Sequence, residues 1–126
     1  MMSDLVLTPH GAAMTNILFM RPYTVVVEVA PPYFMELLFC NLAHHARVRH
    51  ILVHNFYRAL VDEMDDNEIT KHYWENTYMS IRSKFKSTQL RVDFFQILSA
   101  VEDGVSYLQM RRCRYSPNND IESVVF

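Results

Sequence analysis

The sequence predicts an α/β fold, a Rossmann-like parallel sheet with flanking helices. Two observations carry that prediction. Three short apolar runs, Leu5–Thr8, Thr24–Val29 and Val48–Val53, are separated by two segments with helical spacing of their apolar residues, so residues 1–54 read β-α-β-α-β. The runs are also apolar at nearly every position instead of alternating. Such continuity suits strands covered on both faces, as in parallel sheets.

The elements follow in order. Leu5-Val6-Leu7-Thr8 ends at Pro9, His10 and Gly11, which reads as a buried strand running into a tight turn. From Ala12 to Met20, Ala13, Ile17 and Met20, and Met14 and Leu18, recur at helical separations, so a short helix begins just after Gly11. Arg21-Pro22-Tyr23 breaks it. Thr24–Val29 is dominated by valine, whose branched side chain suits a pleated strand, and Pro31-Pro32 ends that strand. Phe34 to Ala46 carries an apolar stripe at 34, 37, 38, 42 and 46. Cys40 lies on that apolar stretch and reads as a small buried hydrophobe.

Beyond the third strand the pattern weakens. Asp62–Glu68 is acidic and reads as a solvated loop, and Ile69–Phe85 has a faint helical stripe whose aromatic residues, Tyr73, Trp74, Tyr78 and Phe85, read as core. Leu90-Arg91-Val92 suits one more short strand. Asp93, with Gln96 at the third helical position, reads as a capping box for a helix reaching about Leu108. The domain is therefore expected over 1–110, with 111–126 a polar tail that frays.

Composition narrows the function classes. Half of the 126 residues are hydrophobic and 21% are charged, ordinary values for a globular domain. The formal charge of −2 gives no electrostatic reason to expect nucleic acid or an acidic membrane as partner. No window approaches the ~18 continuous apolar residues of a transmembrane helix. The amino terminus lacks the basic and apolar regions of a signal peptide, which taken alone predicts a cytosolic protein.

Only two glycines occur, Gly11 and Gly104. Gly11 stands where a strand turns into a helix, a place where the first helical amides lack internal partners and attract phosphate oxygens. In open α/β sheets ligands gather at the carboxyl ends of the strands, where Pro9–Ala13 is expected. His10, Thr15 and Asn16 are placed to add side-chain hydrogen bonds. Against this stands a plainer account, a turn glycine in a loop that binds nothing; on spacing alone it is the stronger, because one glycine is less specific than a G-x-G-x-x-G fingerprint. Glu28 interrupts a valine run suited to full burial, and a carboxylate there must be hydrogen-bonded or paired. It either accepts from a ligand hydroxyl or reaches solvent or a nearby Arg or Lys, and both accounts stay open. His44, His45, His50 and His54 do not form a metal set: no Cys or carboxylate completes a tetrahedral site at a familiar spacing. Nor does the acidic run have the alternation or central glycine of a calcium loop. No G-x-S-x-G elbow or Walker lysine is present.

The segment Thr8-Pro9-His10-Gly11-Ala12-Ala13-Met14-Thr15-Asn16-Ile17-Leu18-Phe19-Met20, followed by Pro22 and by Val25–Pro31 with Glu28, resembles the signature of glycosyltransferase family 61. The likeness is in order and spacing, extends in layout through His54, and fades after about Tyr57. It implies the carboxy-terminal half of a GT-B enzyme, incomplete here, with the amino-terminal half that carries most of the acceptor site lying outside this chain. It further implies a nucleotide-sugar donor, of the uridine diphosphate type, whose sugar passes to a hydroxyl of a glycan or protein. His10, Gly11, Ala12, Thr15 and Asn16 would line the donor diphosphate, and Glu28 would serve the donor ribose or the architecture of the site. No metal or other cofactor is required. The full-length parent would work in the Golgi or endoplasmic reticulum lumen, and this chain alone would be inactive, either as a fragment or as a non-catalytic remnant used for binding or structure. Where the family has glycine in the turn after the helix, this chain has Tyr23, which predicts a different backbone conformation there.

Overall fold

The computed structural model describes residues 3–32, 36–55, 67 and 92–114. Three parallel strands, β1 (Leu5–Pro9), β2 (Val25–Pro32) and β3 (Arg49–Asn55), lie side by side in that order. A 3-10 helix (Ala12–Phe19) lies between β1 and β2, α1 (Leu38–His45) between β2 and β3, and α2 (Phe94–Arg114) follows. Both intervening helices cover one face of the sheet, as expected when successive crossovers of one hand step the same way across it. There Met14, Ile17, Met20, Phe39, Ala43 and Val48 enclose Val26. On the other face α2 covers Val25, Val27, Val29 and Val53 through Ala100, with Tyr107 and Leu108 alongside. The α/β reading and the parallel sheet with flanking helices are thus observed.

β2 is central, and its valines account for its place. Val25, Val26, Val27 and Val29 are all buried, the most exposed at 6%. Burying each stabilises the fold by about 1.5–3 kcal/mol relative to leaving it in water. The strand runs further than the sequence predicts, taking in Pro31 and Pro32. The register with β3 slips between Val29 and Pro32, so residues lacking an N–H are accommodated where regular pairing has already broken.

The helix after Gly11 is a 3-10 helix rather than the expected α-helix. Its buried residues, Met14 and Ile17, and the buried Met20 just past its end step by three, the period of that tighter helix, whereas Ala13 and Leu18 face solvent. The stripe of α1 is also differently phased. Phe39 and Ala43, one turn apart, face the sheet, while Leu37 and Leu38 are more than half exposed. Cys40 is exposed, not buried, because it lies about 100° round the helix from Phe39. Cys113 is exposed as well.

Two turns need positive φ without glycine. At the end of α1, Arg47 has φ 57°, the Arg47 amide donates to the His44 carbonyl and the Val48 amide to that of Ala43. This is a Schellman ending with arginine where glycine is usual. Tyr23, expected to force another conformation, adopts the left-handed one with φ 68°. Its amide donates to the Arg47 carbonyl at 2.7 Å, and the Arg111 guanidinium lies 3.7 Å from its ring centroid. Those contacts offset the ~1–2 kcal/mol that a side chain costs in that region.

Asp93 caps α2, its Oδ1 accepting from the Phe95 amide at 2.8 Å, as expected of an N-cap. The helix does not fray at Arg111 but continues to Arg114. Tertiary contacts hold its last turn: Arg111 stacks on Tyr23, and Arg112 donates to Asp4 Oδ2 at 2.9 Å. Phe34, the acidic run from Asp62 apart from Asn67, the stripe from Ile69 to Phe85, the pair Leu90-Arg91 and residues 115–126 fall outside the described residues. Among the described residues no helix is long and apolar enough to cross a membrane.

Candidate functional site

Strand alternation brings Glu28 together with two histidines. In register, Thr8 of β1, Glu28 of β2 and Leu52 of β3 lie across from one another. His10 is two residues on from Thr8 and His50 two residues back from Leu52, so all three side chains share the face of the sheet under the 3-10 helix and α1. Glu28 is 1% exposed. Its Oε1 meets His10 Nδ1 at 2.5 Å and its Oε2 meets His50 Nε2 at 2.6 Å.

The electrostatics follow from that geometry. Burial pushes the Glu28 carboxyl upward, but hydrogen bonds from His10 and His50 and the charges of the two rings outweigh it, leaving the group below its ordinary value. An ionised carboxylate only accepts, so His10 carries hydrogen on Nδ1 and His50 on Nε2. The other nitrogen of His10, Nε2, faces Glu36 Oε2 at 3.4 Å, and the ring meets Phe39 edge-on with centroids 5.2 Å apart. Further along β3, burial lowers the pKa of His54.

A lowered carboxyl gives stability with a definite sign. The Glu28 contribution is complete above about pH 4.3, where an unfolded glutamate is ionised, and is lost as pH falls through the lower folded value. Urea midpoints of the parent and of Glu28→Gln should therefore differ at neutral pH and converge on acidification below about pH 4. A gap that stays constant down to pH 3 refutes this account.

The phosphate loop predicted from sequence lies at the carboxyl end of β1. The His10 amide still pairs with the sheet, donating to the Val29 carbonyl at 2.9 Å. Gly11 follows with φ 154° and ψ −171°, a region open essentially to glycine alone. A Cβ there would meet no heavy atom within 4 Å, so conformation and not crowding requires the glycine. The Gly11 carbonyl accepts from the Met14 amide at 2.9 Å. Since that bond opens the helical ladder, the amides of Ala12 and Ala13 stand ahead of it, at the end where helical dipoles are positive.

The predicted site residues divide into two groups. Ala12, Thr15 and Asn16 are exposed beside the half-buried Gly11, whereas the His10 side chain is only 2% exposed and turns inward to Glu28. The Thr15 hydroxyl donates to the Ala12 carbonyl at 2.7 Å. Asn16 and Ala13 line a small cleft of about 180 Å³ with Val6, Thr8 and Ile17. A roomier hollow opens at the opposite, amino edge of the sheet, among Asp4, Arg21, Tyr23, Thr24, Arg111 and Arg112. Among the described residues no group of three or more His, Cys, Asp or Glu side chains is arranged to hold a metal ion.

Comparison with models of known protein families, with curated proteins and with solved structures finds no match for this chain. The geometry of the site is therefore what bears on its function. That geometry adds His50, which sequence reasoning weighed only as a metal ligand. The sequence signalled that a carboxylate inside a valine run needs donors, and strand order and register are what make His50 one of them.

Proposed function

We propose that this chain is the donor-binding part of a glycosyltransferase resembling family 61, the carboxy-terminal half of a GT-B enzyme. The loop from His10 to Ala13 takes the diphosphate of a uridine diphosphate sugar, and the parent enzyme passes the sugar to a hydroxyl of a glycan or protein in the Golgi or endoplasmic reticulum lumen. The observation that carries the reading is Gly11: a glycine-only conformation at the carboxyl end of a parallel strand, with open space where a side chain would be. Such a position lets a ligand approach the backbone, and the amides of Ala12 and Ala13 are suited to phosphate oxygens. Asn16 offers a side-chain amide beside them, while the Thr15 hydroxyl already donates to Ala12. His10 and Glu28 act by positioning, since they are buried against each other. In the parent, the same amides would stabilise charge developing on the leaving diphosphate, a role that preorganised dipoles fill without a metal.

A second reading, a non-catalytic remnant serving as a structural or binding module, is favoured by that mutual burial of His10 and Glu28. Calorimetry separates the two. Uridine diphosphate should bind the folded chain with millimolar or better affinity, in competition with inorganic pyrophosphate. Gly11→Ala should weaken binding and also cost about 1–3 kcal/mol of stability through backbone strain. A folded chain that takes up neither ligand supports the remnant.

A further inference from the structure

The Gly11 loop has no side chain at its apex, so its neighbours must set its position. Behind it runs a continuous path to the far strand. His50 Nε2 donates to Glu28 Oε2 at 2.6 Å, and Glu28 Oε1 accepts from His10 Nδ1 at 2.5 Å. The path is nearly closed to water, with side-chain exposures of 8% for His50, 2% for Glu28 and 2% for His10. His10 is covalently next to Gly11, so its ring, together with its amide's bond to the Val29 carbonyl, anchors the start of the loop.

We infer that His50 is a positioning residue for the Gly11 loop, acting through Glu28 and His10. The last torsion of a glutamate is broad, and hydrogen bonds to both oxygens are what confine it. Removing the His50 donor leaves Oε2 buried without it, and the carboxylate gains by rotating to find another. Rotation misaligns Oε1 with His10 Nδ1, whose ring is otherwise held by Phe39 and faced by Glu36. Buried networks of this kind respond as a unit because low local dielectric strengthens each bond and penalises each gap. The donor-site reading enters only in what the loop holds; the link from β3 to the loop is separate from it.

The two glycines make the test direct. Nitrogen-15 glycine labelling of the full chain yields one amide signal from Gly11 and one from Gly104, which lies in α2 against the opposite face of the sheet. His50→Gln keeps an N–H able to reach Glu28 and should leave both signals near their parent positions. His50→Asn, too short, and His50→Leu, without a donor, should move or broaden the Gly11 signal and leave that of Gly104 in place. Added uridine diphosphate should shift Gly11 in the parent and in His50→Gln, and bind on the order of tenfold more weakly to the other two, the lower end of the loss seen when hydrogen-bond partners behind metal-binding side chains are removed. An unmoved Gly11 signal in a folded Asn or Leu variant overturns the inference. So does a Gln variant that shifts Gly11 as far as Asn does, or loss of both signals in Asn and Leu alike, which would make His50 a residue of the fold at large. If uridine diphosphate leaves the parent's Gly11 unmoved, the donor reading fails, while the ligand-free spectra still decide the role of His50.

Discussion

Replacing Glu28 with alanine is expected to destabilise the folded chain by about 2–6 kcal/mol, about 1–3 for each of the two buried donors that lose their acceptor. The substitution leaves His10 Nδ1 and His50 Nε2, both nearly inaccessible, without the oxygens they meet at 2.5 and 2.6 Å. Two orphaned donors add to the loss of packing in the centre of the sheet. Domains have only about 5–15 kcal/mol of net stability, so most of the margin would go. The arrangement also forecasts a rescue. Glu28→Leu combined with His10→Phe and His50→Leu removes the three buried side chains together and leaves the partly exposed Glu36, and apolar replacement of a buried cluster is often neutral or better. Urea unfolding measures both. A single alanine variant within about 1 kcal/mol of the parent would show that the cluster is not what joins β1, β2 and β3 at this end of the sheet.

The strands were legible because their signal is local. A run such as Val25-Val26-Val27 with short connections on either side has few alternatives to a buried parallel strand, and the β-α-β-α-β order followed. Helical phase was less legible because it depends on what the sheet presents. Phe39 and Ala43 face inward on α1 although Leu37 and Leu38 are as apolar, and only the position of Val26 and Val48 decides between them. The 3-10 helix could have been read from the spacing of Met14, Ile17 and Met20, since a step of three held over two turns favours that helix over 3.6. Left-handed backbone at Tyr23 and Arg47 could not: Tyr23 is held by partners distant in sequence, Arg47 and Arg111, and Arg47 stands in a Schellman ending where glycine is usual. The candidate site was half legible. Gly11 announced itself by rarity and position, and Glu28 by interrupting an apolar run. What the sequence did not show is that Glu28 faces His10 and His50 and not a ligand, because that follows from strand order and register.

Gly104→Leu should have the other large effect, and for the opposite reason to Gly11. Gly104 has ordinary helical neighbours in α2, yet an added Cβ would lie 2.8 Å from Leu5 Cδ1, 3.0 Å from Val25 Cγ1 and 3.7 Å from Ile51 Cδ1. At this point α2 lies against all three strands, and space is what the glycine provides. Alanine is a balanced change. Its helix propensity is about 1 kcal/mol better than glycine, which offsets part of the crowding, and the half-buried Leu5 can turn away. Val25 is 0% exposed and stiff about its first torsion, so it cannot. Leucine adds a full side chain at the same point and must lift α2 from the sheet, costing at least the 1–3 kcal/mol typical of overpacking. Because α2 also brings Arg111 onto Tyr23 and Arg112 onto Asp4, that movement should loosen the turn at Tyr23, where φ is 68°. Chemical denaturation with hydrogen exchange at the Tyr23 amide measures both consequences. A Gly104→Leu chain with parent stability and an unchanged Tyr23 amide would mean that α2 does not rest on the sheet at Gly104.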